Sequence, residues 1–496
     1  MTYWLTRALY LRALGAIYFV AFLSLAQQVV PLIGTDGLLP AKPFLDEMGA
    51  AQGGRLAGFA ALPSIFWLDA SDRALSYLAW GGTALSLVVV AGCANALVLA
   101  LLWALYMSFV HVGQLFYGYG WEILLLEMGF LAIFLAPLRR LDAFAAESPP
   151  SPIVIWLLRW VLFRVMFGAG LIKLRGDPCW RDLTCMYFHY ETQPLPNPLS
   201  WYLHRTPEWF HRLEVLFNHF VELVVPWTLF APHLIRHAGG IFLVAFQLTL
   251  IISGNLSFLN WLTLALCIAC FDDQALGRIL PGRWWRRAEA LSAVSPSRLR
   301  HAVGIALALF VGFLSIGPVL NLLGSHQAMN ASFDRLHLVN TYGAFGSVGR
   351  ERDEIILEGT EYAEPSGSST WSEYEFKCKP GDVQRRPCLI APYQYRVDWQ
   401  IWFAAMQSVD TNPWLVHLVS KLLRNDPGAL SLLARNPFPD SPPRFIRAEL
   451  YEYRFAPPDD QDHAWWQRRR IGEYMPPLSA DDPRLMRFLH HFGWRD

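Results

Sequence analysis

Long apolar stretches separated by short polar ones fill the first two thirds of the chain, and the pattern then changes. A helix that crosses a bilayer needs roughly 20 mostly apolar residues, and about nine stretches approach that length. They lie near 13–33, 75–93, 95–116, 121–138, 152–172, 213–230, 237–253, 256–271 and 302–323. The 75–116 pair runs almost without interruption, and its turn falls near Cys93-Ala94-Asn95. From about 324 charge rises, Pro and Gly recur, and no run is long enough to span. Period-two alternation in DEIILEGT, YEFKCKPG, YRVDWQIWF and RFIRAELYEYRF predicts strands. PWLVHLVSKLLRNDPGALSLLARNPF predicts one or two short helices broken at Asp426-Pro427-Gly428. EYAEPSGSSTWSE (361–373) reads as a mobile surface loop. The expected fold is an α-helical multi-pass membrane bundle over 1–323, with loops 34–74 and 173–212 on one side. A mixed, β-rich extramembrane domain over 324–496 follows on that same side.

Composition supports a membrane protein. Of 496 residues 54% are hydrophobic and 17% charged, against about 25% charged in a soluble domain. The formal net charge is zero, so no basic field points to a nucleic-acid partner. Trp and Tyr favour bilayer interfaces, which accounts for part of the 21 Trp. The first apolar stretch is long and lacks a small-residue cleavage site, so it reads as a span and not as a signal peptide.

Lys and Arg in short loops set orientation. Arg7 and Arg12, then Arg139 and Arg140, then Arg236, then Arg278, Arg283, Arg286, Arg287, Arg298 and Arg300 all fall on the cytoplasmic side if the N-terminus does. Loop 173–212 and the tail then face the other compartment, although the loop itself carries Lys173, Arg175, Arg181, Arg205 and Arg212. Cys179, Cys185, Cys378 and Cys388 all lie in those segments, where disulfides persist. Cys179–Cys185 and Cys378–Cys388 are candidate bridges, although four cysteines allow three pairings. Cys267 and Cys270 have CxxC spacing inside an apolar stretch and read as packing residues.

Ionisable groups inside spans are expensive, so each is a candidate for function. Arg159, Arg164 and, at the outer end, Lys173 occupy the fifth stretch; His111 and Glu127 occupy the third and fourth. Asn218, His219 and Glu222 share one helix face by their i,i+3 and i,i+4 spacing. Glu222 or Glu127 pairing Arg164 would hold helices together. A polar cavity opening toward the 173–212 loop is the functional alternative, with Lys173, His219 and Glu222 as its catalytic candidates. His189, His204, His211 and His219 lack ligand-type spacing, so no metal is assigned. The tail holds no P-loop, GxSxG or HExxH, and no cofactor is assigned. Pro194, Pro196 and Pro198 stiffen the loop, with Trp201, Tyr202 and Trp209 as interface anchors.

The blocks GAGLIKLRGDPCWRDLTCMYFHYETQPLPNPLSWYLHRTPEWFHRLEVLFNHFVELVVPW, LIISGNLSFLNWLT, NTYGAFGSVGRERDEIILEGT, YEFKCKPGDVQRRPCLIAPYQYRVDWQIWFAAMQ and LLARNPFPDSPPRFIRAELYEYRF resemble the lipase maturation factor family over most of the chain. That resemblance implies a multi-pass membrane protein, in animals of the endoplasmic reticulum, that helps secreted lipases reach an active fold without being a lipase. It makes the tail a client-binding region, with Tyr342, Gly343, Phe345, Trp399 and Trp402 as contact candidates, joined by Trp180 and Trp201 of the loop. The expected partners are a secreted lipase or other exported protein and the lipid bilayer. The short N-terminus and the ending FLHHFGWRD suggest a bacterial inner membrane in place of the endoplasmic reticulum. FGAGLIKL with Trp180 is also similar, more distantly, to the vitamin K-dependent γ-glutamyl carboxylase family. That implies an alternative: a membrane enzyme using Lys173 as base with a lipid-soluble cofactor.

Overall fold

The structure is a computed structural model that describes residues 1–363 and 369–494. The centre of the 361–373 stretch, expected above to be a mobile loop, lies outside the described residues.

Every apolar stretch folds as helix, but not every helix is long. Trp4–Ile33, Asp72–Val90, Pro152–Arg175, Glu208–Phe230 and His233–Ser253 are long and apolar enough to cross a membrane. Arg298–Leu314 and Ile316–Leu323 meet at 41° and make a sixth span if taken together. The apolar runs had suggested about nine spans; the difference lies in three shorter helices, Ala96–Val112, Gly120–Leu135 and Leu259–Cys267. Local stops explain them. Asn95 starts the first by accepting the Val98 N–H at 2.9 Å, and Gly113, packed under the Tyr117 ring, ends it. Pro137 follows the second.

The basic groups gather at one end of the bundle. Arg7 donates to the carbonyls of Ala143 and Ser148, Arg287 pairs with Asp142 at 2.6 Å, and Arg300 reaches the Ala136 carbonyl at 3.0 Å. Arg236 donates to the Cys270 carbonyl at 2.9 Å. The 173–212 loop and the tail lie at the opposite end.

The tail is built on strands β1 Arg352–Thr360, β2 Ser372–Glu373, β3 Glu375–Phe376, β4 Leu433–Arg435, β5 Phe445–Phe455 and β6 Trp466–Leu478. Four form one sheet in the order β2-β1-β5-β6, and β3 pairs with β4. DEIILEGT and RFIRAELYEYRF become β1 and β5, paired antiparallel from Arg352–Tyr453 to Thr360–Phe445. YEFKCKPG yields only β3. YRVDWQIWF is not a strand but the helix Arg396–Ala405. That segment is buried on nearly every side, so alternation of apolar positions does not set its period. The predicted short helices are Pro413–Leu422 and Pro427–Ser431, divided by Asp426, which caps the second at Ala429 N.

Buried polar bonds weld the tail to the bundle. Glu127 accepts from Arg164, from Tyr342 Oη at 2.7 Å and from Asn340 N at 3.1 Å. Glu122 pairs with Arg396 at 2.7 Å, and Arg396 also donates to the Phe116 carbonyl at 2.7 Å. Gln28, near the end of the first helix, donates to Gln394 O at 2.8 Å and accepts from Arg396 N at 3.0 Å. Arg352, at the start of β1, donates to the Glu191, Gln193 and Pro194 carbonyls of the 173–212 loop at 2.9, 2.5 and 2.9 Å. Close backbone approach makes this possible. A Cβ at Gly168 would lie 2.5 Å from the Tyr342 carbonyl oxygen, and one at Gly176 would strike Gly346.

Candidate functional site

Where the Pro152–Arg175 helix leaves the bundle, Lys173 is buried. Its Nζ lies 2.6 and 2.7 Å from the two Glu222 oxygens and 3.3 Å from Asn218 Oδ1. Asn218 Nδ2 donates to Glu222 at 2.9 Å, so the face shared by Asn218 and Glu222 forms the acceptor set for the lysine. The Trp180 ring covers the ammonium at 5.1 Å. Gly170 brings the two helices together, since a Cβ there would lie 3.0 Å from Glu222 Cβ. Glu222 sits in a π-helical turn, Phe220–Val224, that continues Glu208–His219. His219 does not join the Lys173 group; its Nε2 lies 3.0 Å from the Trp180 carbonyl oxygen.

Beside this group lies a cavity of about 570 Å³ between the bundle, the 173–212 loop and the tail. Tyr342, Gly343, Phe345, Trp399 and Trp402 all line it, as does Glu222. Segments far apart in sequence thus converge on one space. Tyr342 and Trp399 are themselves buried; Phe345 and Trp402 are half-buried and offer more surface. Trp180 and Trp201 are not in the lining. Trp180 is buried and donates to the Phe345 carbonyl at 2.8 Å. Trp201, expected also as an interface anchor, packs edge-on against Trp465 with centroids 5.5 Å apart and ties the loop to the sheet.

Four cysteines form Cys179–Cys185 and Cys378–Cys388, the sequence-near pairing among the three. Cys267 and Cys270 are free and fully buried. Asn255, in the LIISGNLSFLNWLT block, holds the second disulfide loop to the bundle. It donates to the Cys388 carbonyl at 2.9 Å and accepts from Ile390 N at 3.0 Å.

The sequence reading missed several residues here. Arg352, Arg396 and Asn255 act on backbone carbonyls and amides, and that kind of partner leaves no pattern in a sequence. His189 lines the cavity and packs edge-on against Phe345 at 4.8 Å; its only sequence signal was its place in a loop dense with aromatic and charged residues.

Burial pushes the extramembrane histidines His189, His204, His337 and His417 down to about 4. Burial also raises the Asp398 carboxyl to about 6, although the Lys379 and Cys378 N–H groups it accepts favour its charged form. Glu191, Asp353 and Glu358 are raised too, by the same cause. The signs oppose. A histidine lowered from its unfolded value near 6.5 loses stability as pH falls through that value toward 4. A raised carboxylate gains stability as pH falls through its folded value. Four histidines displaced this far outweigh Asp398. Hydrogen exchange of the loop and tail in detergent is therefore expected to speed up at pH 5 relative to pH 7, after correction for intrinsic rate. Equal protection at both values would contradict this.

The lipase maturation factor transmembrane domain profile matches residues 5–278, and the lipase maturation factor C-terminal domain profile matches 338–476. The chain is 51% identical to lipase maturation factor 1 of Bos taurus over 97% of this chain and 90% of that protein. It is 49% identical to lipase maturation factor 1 of Homo sapiens over 99% of this chain and 91% of that protein. Lipase maturation factor 2 of Rattus norvegicus is 32% identical over 98% of this chain and 85% of its own length. No solved structure matches the chain. Profiles covering both the helical part and the tail, with relatives aligned nearly end to end, place this multi-pass membrane protein in the lipase maturation factor family.

Proposed function

We propose that the chain matures secreted lipases, and other exported proteins, by holding partly folded clients against the surface formed by the 173–212 loop and the tail. The carrying observation is the convergence of Tyr342, Gly343, Phe345, Trp399 and Trp402 on one cavity wall at that surface. The names of the relatives supply the client class. The membrane part, 1–323, fixes this surface in the bilayer, and the extracytoplasmic part, 324–496, completes it. Paired cysteines in both segments fit a compartment where disulfides persist. Basic residues collected at the far end support a cytoplasmic position for that end. The relatives named above are vertebrate, which supports an endoplasmic reticulum membrane over the bacterial inner membrane suggested by the chain ends.

Rigidity supports a holding role over a tethered-arm role. The tail is fixed by Glu127, Glu122 and Arg352, so it offers a preformed surface and little ordering entropy is lost on binding. Trp402→Ala and Phe345→Ala, made together, are expected to lower the activity per molecule of a co-expressed secreted lipase about tenfold while the abundance of the chain holds, since few interface residues carry most of the binding energy. The measurement is secreted activity divided by secreted antigen. A ratio unchanged by the double variant would refute the cavity wall as the contact surface. A ratio unchanged by removal of the whole chain would refute the function.

A further inference from the structure

We infer that the cavity between the bundle and the tail is a binding site for one membrane lipid with an amine-bearing head group. Val165, Met166 and Phe246 line the cavity floor from helices that cross the membrane. The polar side chains beside them are already paired. Asn260 donates to Gln247 at 2.9 Å, Gln247 meets the Met166 sulfur at 3.5 Å, and Thr263 donates to its own helix at Leu259 O at 3.1 Å.

Such a floor presents few unmet hydrogen bonds. A peptide pushed into it would bury N–H and C=O groups without partners, at a cost of several kcal/mol each. An acyl chain carries no such groups. The side wall of Leu250, Leu259, Trp402 and Phe403 is apolar and half-exposed, which suits a chain arriving from the bilayer. A volume of about 570 Å³ lies within the range of roughly 300–1,000 Å³ typical of small-molecule sites.

The other end differs in chemistry. Glu351, exposed, and Asp353, half-buried, line the mouth. Asp353 Oδ1 is enclosed by protein and has no hydrogen-bond partner among the described residues. Among the described lining residues the one Arg or Lys is Arg352, and it is committed to Glu354 at 2.6 Å and to three loop carbonyls. Carboxylates without a free cation disfavour a head group of net negative charge and favour one that ends in an ammonium.

The test uses the full-length protein in detergent, incubated with vesicles of phosphatidylethanolamine and phosphatidylglycerol in equal parts and read by native mass spectrometry. One phosphatidylethanolamine is expected to stay bound per chain. Leu259→Trp, which fills the wall, is expected to cut retention roughly tenfold. Asp353→Asn is expected to retain lipid but lose the preference for the amine. Three results would overturn the proposal: no lipid on a folded chain, equal retention of both lipids by the unmodified chain, or retention indifferent to both variants. Trp402 stands in both readings, so the lipid site is judged by Leu259→Trp and Asp353→Asn, residues the client reading does not use, and lipase output plays no part in this measurement.

Discussion

Glu127→Ala is expected to release the tail from the bundle, at a cost of about 3–5 kcal/mol, the range for breaking a buried ion pair from one side. Glu127 is enclosed in the Gly120–Leu135 helix and collects four donors: Arg164, Tyr342 Oη, and the backbone and side-chain nitrogens of Asn340. Its removal leaves the Arg164 guanidinium buried between the Trp160 and Tyr342 rings, with the Asn340 carbonyl as its one remaining hydrogen-bond acceptor among the described residues. It also frees the tyrosine hydroxyl that pins the NTYGAF segment to the membrane part. The cost comes mainly from the stranded charge, which gives the prediction its internal control. Glu127→Ala combined with Arg164→Met removes both charges and is expected to recover much of the loss. Tyr342→Phe deletes one of the four donors and is expected to cost about 1–3 kcal/mol. Hydrogen exchange over 338–348 in the solubilised protein reads all three. Unchanged protection in Glu127→Ala would mean that the tail is held elsewhere.

The same hub shows what a sequence can and cannot convey. Glu127, Arg164 and Glu222 stood out because a charge in an apolar run is costly, and all three are buried and ion-paired. For partners that rule left two mates open for Arg164, and Glu127 is the one it takes. Glu222 was a candidate mate for Arg164, yet it pairs with Lys173, 49 positions away. Helix contacts decide such matches, and here Gly170 decides this one by letting the helices approach. The membrane helices were legible because their apolar runs are long. Their lengths were less so, because Asn95, Gly113 and Pro137 set the ends by local geometry.

The tail was legible where a strand has one wet face, as in β5. The Arg396–Ala405 helix was misread because burial all round removes the periodic signal. β6, Trp466–Leu478, went unread because its run of Arg and its pair of Pro do not look like a strand. At the sheet edge both are tolerated, and Arg468, Arg469 and Arg470 pair there with Glu373, Glu452 and Glu449. The tail's five contact candidates follow from family resemblance alone, and nothing in their spacing says that they share a cavity.

Lys173→Met is expected to destabilise the bundle by about 3–5 kcal/mol, because it leaves the Glu222 carboxylate buried with Asn218 as its remaining donor. Abundance of the chain and lipase output should then fall together. Glu222→Gln should behave alike, since it strands the ammonium instead. Neither single variant separates a structural lysine from a reactive one, but the pair does. Lys173→Met with Glu222→Leu replaces the ion pair by apolar side chains of similar volume, a change that is often neutral once both charges are gone. A base must present a free lone pair to its substrate. Here the Lys173 nitrogen is engaged by both Glu222 oxygens and by Asn218, with Trp180 across its remaining side. The structural reading therefore expects the double variant to restore abundance and lipase output in step. Restored abundance with output still abolished would assign the chemistry to the lysine, and a membrane enzyme would replace the holding surface as the account of this protein.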